Sequence, residues 1–360
     1  KNARRMDALT AEQKDELHEE TLALTRHVNL LKDPNKVKRR RAIQHITRTL
    51  DGLMEKADDG DQGWTLVARR LFFDVVAANL ITNIQDESEK PRELSVTLIN
   101  QLLPILNMKE EKDGAVVFGG VVRAVHHQIG RYPFKESSEE VRVQMITLCA
   151  SLINAAPNLL LDNVDPLMEI CLACCCDKFP TAKIQVSSLC EALAALILGK
   201  DSQLTVTKQE QIAERMLKAL VPNLKHQRFK VRLASINGIH AIVSSRGKID
   251  PCTREALSHI ASLTVDRSGA VRMRLCAIIS HWMSKLEVSK ADRSKLAVLM
   301  LALLSDQDTQ CREVAVNTLG VLATDHALMK AIDSEYSEGK TGDGGGGGGG
   351  EQGGDRAKGD

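Results

Sequence analysis

The chain is poor in aromatic residues: only 3% of its 360 residues are Phe, Trp or Tyr, with two Trp and two Tyr. Set against abundant Leu, Ala, Ile and Val, that scarcity disfavours a sheet sandwich and favours helix packed on helix. Net charge is lacking too. The 48 basic residues stand against 47 acidic ones, so no global attraction draws the chain to nucleic acid or anionic lipid. No apolar run approaches the length needed to span a bilayer, and the opening KNARRMDAL holds no signal-peptide core. A disulfide framework is missing as well. The nine cysteines, at 149, 171, 174, 175, 176, 190, 252, 276 and 311, are odd in number and fall mostly inside apolar helical segments. That pattern fits reduced thiols in a reducing compartment, cytosolic or nuclear. The start at Lys1 rather than Met reads as that of a fragment or a processed chain.

What the sequence does have is a repeat. In DRSGAVRMRLCAII (266–279), Asp266 is followed by five residues and then by Arg272. The same spacing recurs as Asp306 with Arg312, His226 with Arg232, Asp177 with Lys183, Glu136 with Arg142, Asp86 with Arg92 and Asp33 with Arg39. These seven occurrences lie 40–53 residues apart. Three and four residues beyond most of the basic positions stand small or apolar residues, such as Ala42-Ile43 and Ala315-Val316, which form a helical stripe. Each unit therefore reads as a helix, a short turn carrying the acid, and a second helix opened by the basic residue. A lone helix pair cannot bury its stripe, whereas stacked neighbours bury it together.

The expected fold is all-α, an α-solenoid of about seven HEAT-type hairpins. The pairs are placed at 11–57, 64–106, 115–155, 164–199, 206–245, 250–285 and 290–324, with a short helix at 325–333. Together they make one solenoid over 1–333, followed by a disordered Gly-rich tail over 334–360 that includes seven successive glycines. Thr10–Gln13, Ser137–Glu140 and Thr207–Glu210 read as capping boxes. Asp165-Pro166 and Asp250-Pro251 read as a cap followed by proline in the first helical position.

A feature that recurs at every turn is a joint in a scaffold rather than a single binding site. Asp86, Arg92, Arg142, Asp177, Lys183, Arg232, Asp266, Arg272, Asp306 and Arg312 are accordingly expected to form a ladder of charge-assisted hydrogen bonds between repeats. The alternative is one exposed rung that grips an acidic partner.

Catalytic and metal chemistry find little footing. In CLACCC (171–176), Cys171, Cys174 and Cys175 share a helix face, and no second pair of ligands stands elsewhere, so core packing is preferred to zinc. His126 and His127 are adjacent on a helix and point to different faces. Gly119-Gly120 lies within an apolar helical run and reads as close helix packing. No nucleophile elbow, triad context or phosphate loop is recognisable. The expectation is a protein that is not an enzyme, with no cofactor, metal, nucleic acid or membrane partner. KVKRRR (36–41) has two readings. Lys38, Arg39, Arg40 and Arg41 are a candidate patch for a nuclear-import signal or an acidic partner. Otherwise Arg39 is a rung and its neighbours are a solvated helix face.

LKHQRFKVRLASINGIHAIV (224–243), VDRSGAVRMRLCAIISHWM (265–283) with its Trp282, and LALLSDQDTQCREVAVNTLGVL (301–322) resemble consecutive repeats of the dynein axonemal assembly factor 5 family, also described as HEAT-repeat-containing protein 2. GWTLVARRL (63–71), DESEKPRELSVTLINQLL (86–103) and CDKFPTAKIQVSSL (176–189) fall in the same family order. The resemblance covers about residues 20–330 and is sharpest over 224–322. It implies a cytoplasmic, non-catalytic scaffold for preassembly of axonemal dynein arms. Such a scaffold binds axonemal dynein chains, chaperones and other assembly factors. Members of the family continue with further repeats, so this chain would correspond to an N-terminal portion. A general HEAT-type adaptor, in nuclear transport or as a phosphatase or kinase scaffold, is the alternative that the fold alone leaves open.

Overall fold

A computed structural model describes residues 9–58 and 61–323. The expected short helix at 325–333 and the Gly-rich tail at 334–360 lie outside the described residues.

Among the described residues the chain is built of helical pairs. Helices α1 (Ala11–Leu30) and α2 (Lys36–Asp58) form the first. In the second, α3 (Gln62–Leu71) runs through a single π turn (Phe72–Val76) into α4 (Ala77–Asn83), and the partner is α5 (Glu89–Leu106). There follow α6 (Gly114–Ile129) with α7 (Glu139–Ala155), and α8 (Val164–Cys175) with α9 (Pro180–Ile197). The last three pairs are α10 (Val206–Leu220) with α11 (Phe229–Arg246), α12 (Pro251–Ile260) with α13 (Gly269–Lys285), and α14 (Lys290–Leu303) with α15 (Thr309–Ala323). Short 3₁₀ turns, Val221–Lys225 and Ala261–Val265, tighten the ends of α10 and α12. The only extended pairing among the described residues is an isolated parallel bridge, Lys248 with Glu287. It ties the turn after α11 to the turn after α13 through Glu287 N–H donating to the Gly247 carbonyl at 2.9 Å.

Local signals set the boundaries. Thr10 accepts from the Gln13 amide at 3.2 Å while the Gln13 side chain accepts from the Thr10 amide at 3.0 Å, a reciprocal capping box. Asp250 caps α12 by accepting from Thr253 N–H at 3.0 Å, with Pro251 in the first turn. Three expected caps shift. The cap of α10 is Thr205, not Thr207, and it accepts from Lys208 N–H at 3.3 Å. Helix α7 begins after Ser138, not Ser137, because Glu136 has already taken the Ser138 amide at 2.8 Å. Asp165-Pro166 likewise lies inside α8, whose N-cap position is Asn163.

The helices form two layers. The second helices stack in sequence, α2 on α5, α5 on α7, α7 on α9, α9 on α11, α11 on α13 and α13 on α15. The first helices do the same, α1 on α3, α4 on α6, α6 on α8, α8 on α10 and α10 on α12. One continuous apolar core runs between the layers, with Leu50, Phe72, Phe118, Ile146, Leu193, Ile239 and Trp282 fully buried. Burying such a side chain stabilises by roughly 1.5–3 kcal/mol, and no single pair encloses its own. This is an all-α, HEAT-type solenoid. Among the described residues no helix is long and apolar enough to cross a membrane.

Candidate functional site

The recurring acid and base occupy one edge of the stack, at the turn inside each pair. Arg272 shows the geometry. It sits near the start of α13, and its Nη1 reaches back to the Asp266 carbonyl at 2.7 Å. Its Nε and Nη2 fork onto the two carboxylate oxygens of Asp306, one repeat on, at 2.6 and 2.9 Å. Asp306 also accepts from the amide of Asp308 at 2.8 Å, closing the next turn. The five-residue spacing follows from this. A guanidinium six positions after the acid spans back to that acid's carbonyl while its other face meets the next repeat.

The same fork joins Arg39 to Asp86 at 2.6 and 2.8 Å. It joins Arg92 to Glu136 at 2.5 and 2.8 Å, and Arg142 to Asp177 at 2.7 and 3.2 Å. It joins Arg232 to Asp266 at 2.6 Å on both arms. Bidentate pairs of this kind combine charge with fixed planar geometry. Arg272, bound to Asp306, holds that carboxyl below its ordinary value, and the Arg272 guanidinium is itself raised by the same bond. For Asp266, burial acts to raise the carboxyl, but hydrogen bonds from Arg232 and the Ser268 amide outweigh it and the net direction is down.

Two members depart from the expected pattern. Lys183 meets no acid on the next turn, where His226 occupies the acidic position, and donates instead to the Asn223 side chain at 2.7 Å. Asn223 in turn donates to the Cys175 carbonyl at 3.0 Å. His226 keeps only half of the acid's role: its Nδ1 accepts from the Arg228 amide at 3.1 Å, as the aspartates accept two residues on. An imidazole nitrogen cannot take a two-pronged guanidinium, so a lysine and an amide replace the fork. Arg312 donates to the Asp306 and Gln307 carbonyls at 2.7 and 3.1 Å and to Thr309 at 3.0 Å.

Glu136 and Asn223 belong to this edge although neither is among the ladder residues marked in the sequence. Glu136 has the right spacing but is a longer acid. Asn223 lies three residues before the acidic position, and its signal is the paired change to Lys183 and His226. A further inter-repeat pair, Arg254 with Asp292 at 2.9 Å, lies off this edge.

Within KVKRRR, the helix of α2 spreads the charges. Arg39 turns inward to Asp86, Lys38 pairs with Asp33 at 2.9 Å, and Arg40 and Arg41 remain exposed. Cys171, Cys174 and Cys175 are buried in the core, Cys176 is exposed, and the Cys171 and Cys190 sulfurs lie 3.4 Å apart. Among the described residues no cluster of His, Cys, Asp and Glu could hold a metal ion. His126 lies 2.8 Å from Glu169, and His127 lies 2.6 Å from Lys135. A Cβ on Gly120 would press on Ile81, which is the close packing the glycine pair suggested.

The family model described as "Dynein axonemal assembly factor 5-like, TPR repeats" matches residues 30–322, most of the described solenoid. The chain belongs to the dynein axonemal assembly factor 5-like family. Among curated relatives, dynein axonemal assembly factor 5 of Xenopus laevis is 28% identical over 299 residues, which are 82% of this chain and 32% of that protein. The Homo sapiens protein is 25% identical over 82% of this chain and 32% of its own length. The Mus musculus protein is 23% identical over 84% and 34%. The chain thus spans about a third of the length of the curated relatives it matches. Among solved structures, a designed armadillo repeat protein in complex with a peptide aligns over 71% of this chain and 98% of its own, at 16% identity and a TM-score of 0.46.

Proposed function

We propose that this chain is a non-catalytic scaffold for the cytoplasmic preassembly of axonemal dynein arms. It holds axonemal dynein chains, chaperones and other assembly factors on the surface of the solenoid. Membership of the assembly factor family carries this reading. The architecture supports it: the ionised groups of the turn edge are largely consumed in joining repeats, and a stack of helix pairs offers a long surface to large partners. Its role is to bind and release subunits while they fold or assemble, with no bond made or broken.

The test is affinity purification of the tagged full chain from the cytosol of cells building cilia, followed by mass spectrometry. Axonemal dynein chains and chaperones are expected to be retained. Recovery of transport receptors or phosphatase subunits in their place would overturn the reading and favour a general adaptor.

A further inference from the structure

Between Arg39 and Asp306, every rung but one pairs an arginine with a carboxylate. At the fifth pair, His226 stands where the other turns carry an acid, so one carboxylate is missing. Beside it opens a cleft of about 950 Å³, lined by the turns before α11 and α13. Lys225, Arg228, Lys230 and Arg267 line this cleft. All four are exposed, and none has an ion pair or side-chain hydrogen bond among the described residues. The one carboxylate lining it, Asp266, is held on both oxygens by Arg232. The local potential is therefore positive on a chain whose total charge is only +1. Burial lowers the His226 pKa first, and the charges of Lys183, Arg228 and Arg232 lower it further against the hydrogen bond from the Arg228 amide, which raises it. Two large apolar side chains stand exposed in the same cleft, Phe229 at 41% and Val265 at 82%. At the neighbouring rungs Arg142, Arg232 and Arg272 each face a carboxylate.

We infer that the cleft between the turns preceding α11 and α13 is a docking site for an acidic peptide segment of a partner protein, one with an apolar side chain among its carboxylates. Lys225, Arg228, Lys230 and Arg267 meet the carboxylates, and Phe229 and Val265 receive the apolar group. A polynucleotide fits less well. The cations are confined to one cleft and do not form a stripe that tracks a backbone, and Phe229 is the only Phe, Tyr or Trp lining it. The inference goes beyond the dynein assembly reading and does not require it, since it concerns the chemistry of the bound segment and not the complex that supplies it.

The test uses the full chain and fluorescence anisotropy of a labelled peptide of alternating Glu and Asp with a central Leu. The peptide should bind, and binding should weaken steeply with added salt. Arg228→Glu with Arg267→Glu should weaken it by roughly a hundredfold, about tenfold for each reversed charge. Arg228→Gln with Arg267→Gln should weaken it less, and Lys14→Glu with Lys32→Glu, an equal charge change far along the chain, should leave it unaltered. Phe229→Ser should weaken binding of the Leu peptide more than that of its Leu→Gly counterpart. Thermal melts of all variants should match that of the parent, because none of the reversed side chains has a partner to lose. No binding, or equal weakening by the distant pair, overturns the inference. Tighter binding of oligothymidine or of phosphatidylserine vesicles, abolished by the same Arg228 and Arg267 changes, also overturns it and assigns the cleft to nucleic acid or membrane.

Discussion

Arg142 donates from Nε and Nη2 to both carboxylate oxygens of Asp177, at 2.7 and 3.2 Å, with only 3% and 1% of the two side chains exposed. The guanidinium also lies over the Phe134 and Phe179 rings, with centroids 5.3 and 5.2 Å away. This is the most enclosed rung, and it joins the third pair to the fourth. Rungs toward the two ends are more open, as at Arg39 with Asp86 and Arg272 with Asp306.

Burial should therefore grade the cost of breaking a rung. Arg142→Ala leaves the Asp177 carboxylate buried without its partner and should destabilise by about 3–5 kcal/mol. Arg272→Ala, at a rung that water reaches, should cost about 1–3 kcal/mol. Lys183→Ala, whose partner is a neutral amide, should cost about 0.5–1.5 kcal/mol. Urea unfolding of the three variants checks the order. Equal losses would contradict a ladder whose strength follows enclosure.

The ladder was legible because its chemistry is periodic. An acid followed six residues later by arginine recurs through the sequence, and each term needs the others. The helix pairs were legible for the same reason, through the stripe behind each basic residue. What escaped were features set by contacts between repeats. Glu136 was readable by position, yet only the structure shows its longer side chain making the same fork. Asn223 is invisible to a pattern search because its role follows from the loss of two other residues. The π turn at Phe72–Val76 has no period of its own. The cleft was also out of reach, since the sequence shows which cations exist but not which are already paired.

The His226 turn should be convertible. Lys183→Arg combined with His226→Asp recreates the fork seen at the neighbouring rungs. The pair should couple favourably in a double-mutant cycle, by about 0.5–3 kcal/mol. Lys183→Arg alone should be neutral or destabilising, because the fork still lacks its acid, whereas His226→Asp alone should recover part of the pair through Lys183. A cycle that closes with no coupling would mean that the backbone at this turn does not present the two groups to each other.

Acid should weaken the solenoid in two stages. His240 packs against His281 and Trp282, with ring centroids 5.1 and 6.1 Å apart. Burial first, then the nearby Arg274 and His281, lower its pKa from 6.5 to about 4. The unfolded chain binds this proton more readily than the folded one. Stability is unaffected above about 6.5 and falls as pH drops toward about 4. The loss in that window should be about 1–2 kcal/mol for a half-buried ring partly screened by water, and His240→Gln should remove it. Asp266 and Asp306 have folded pKa values below the ordinary 3.8, so their contribution is present above that value and disappears only below it. Chemical denaturation of parent and His240→Gln across this range separates the two stages.

Two glycines with contrasting surroundings make a packing test. A Cβ on Gly114 would fall on the Met108 carbonyl, so Gly114→Ala should destabilise by about 1–3 kcal/mol. Gly52 lies inside α2 with nothing near its missing Cβ. Gly52→Ala should stabilise by about 0.5–1 kcal/mol through helix propensity. Thermal unfolding of both variants should show opposite shifts.

Thiol labelling should follow exposure. Cys176 is exposed, whereas burial pushes the Cys149 and Cys311 thiols up to about 12. Maleimide should modify Cys176 first in the native chain, with Cys149 and Cys311 reacting only on unfolding. Peptide mapping after a brief pulse would show it, and early labelling of Cys149 would contradict the buried stripe.

The proposal that this solenoid holds dynein subunits without transforming them is tested most directly by mixing the purified chain with newly synthesised axonemal dynein chains. Bound stoichiometry and the intact mass of the subunits would be measured before and after release. Stoichiometric complexes that dissociate to subunits of unchanged mass are predicted. No complex, or subunits modified by a substoichiometric amount of the chain, would contradict a non-catalytic scaffold.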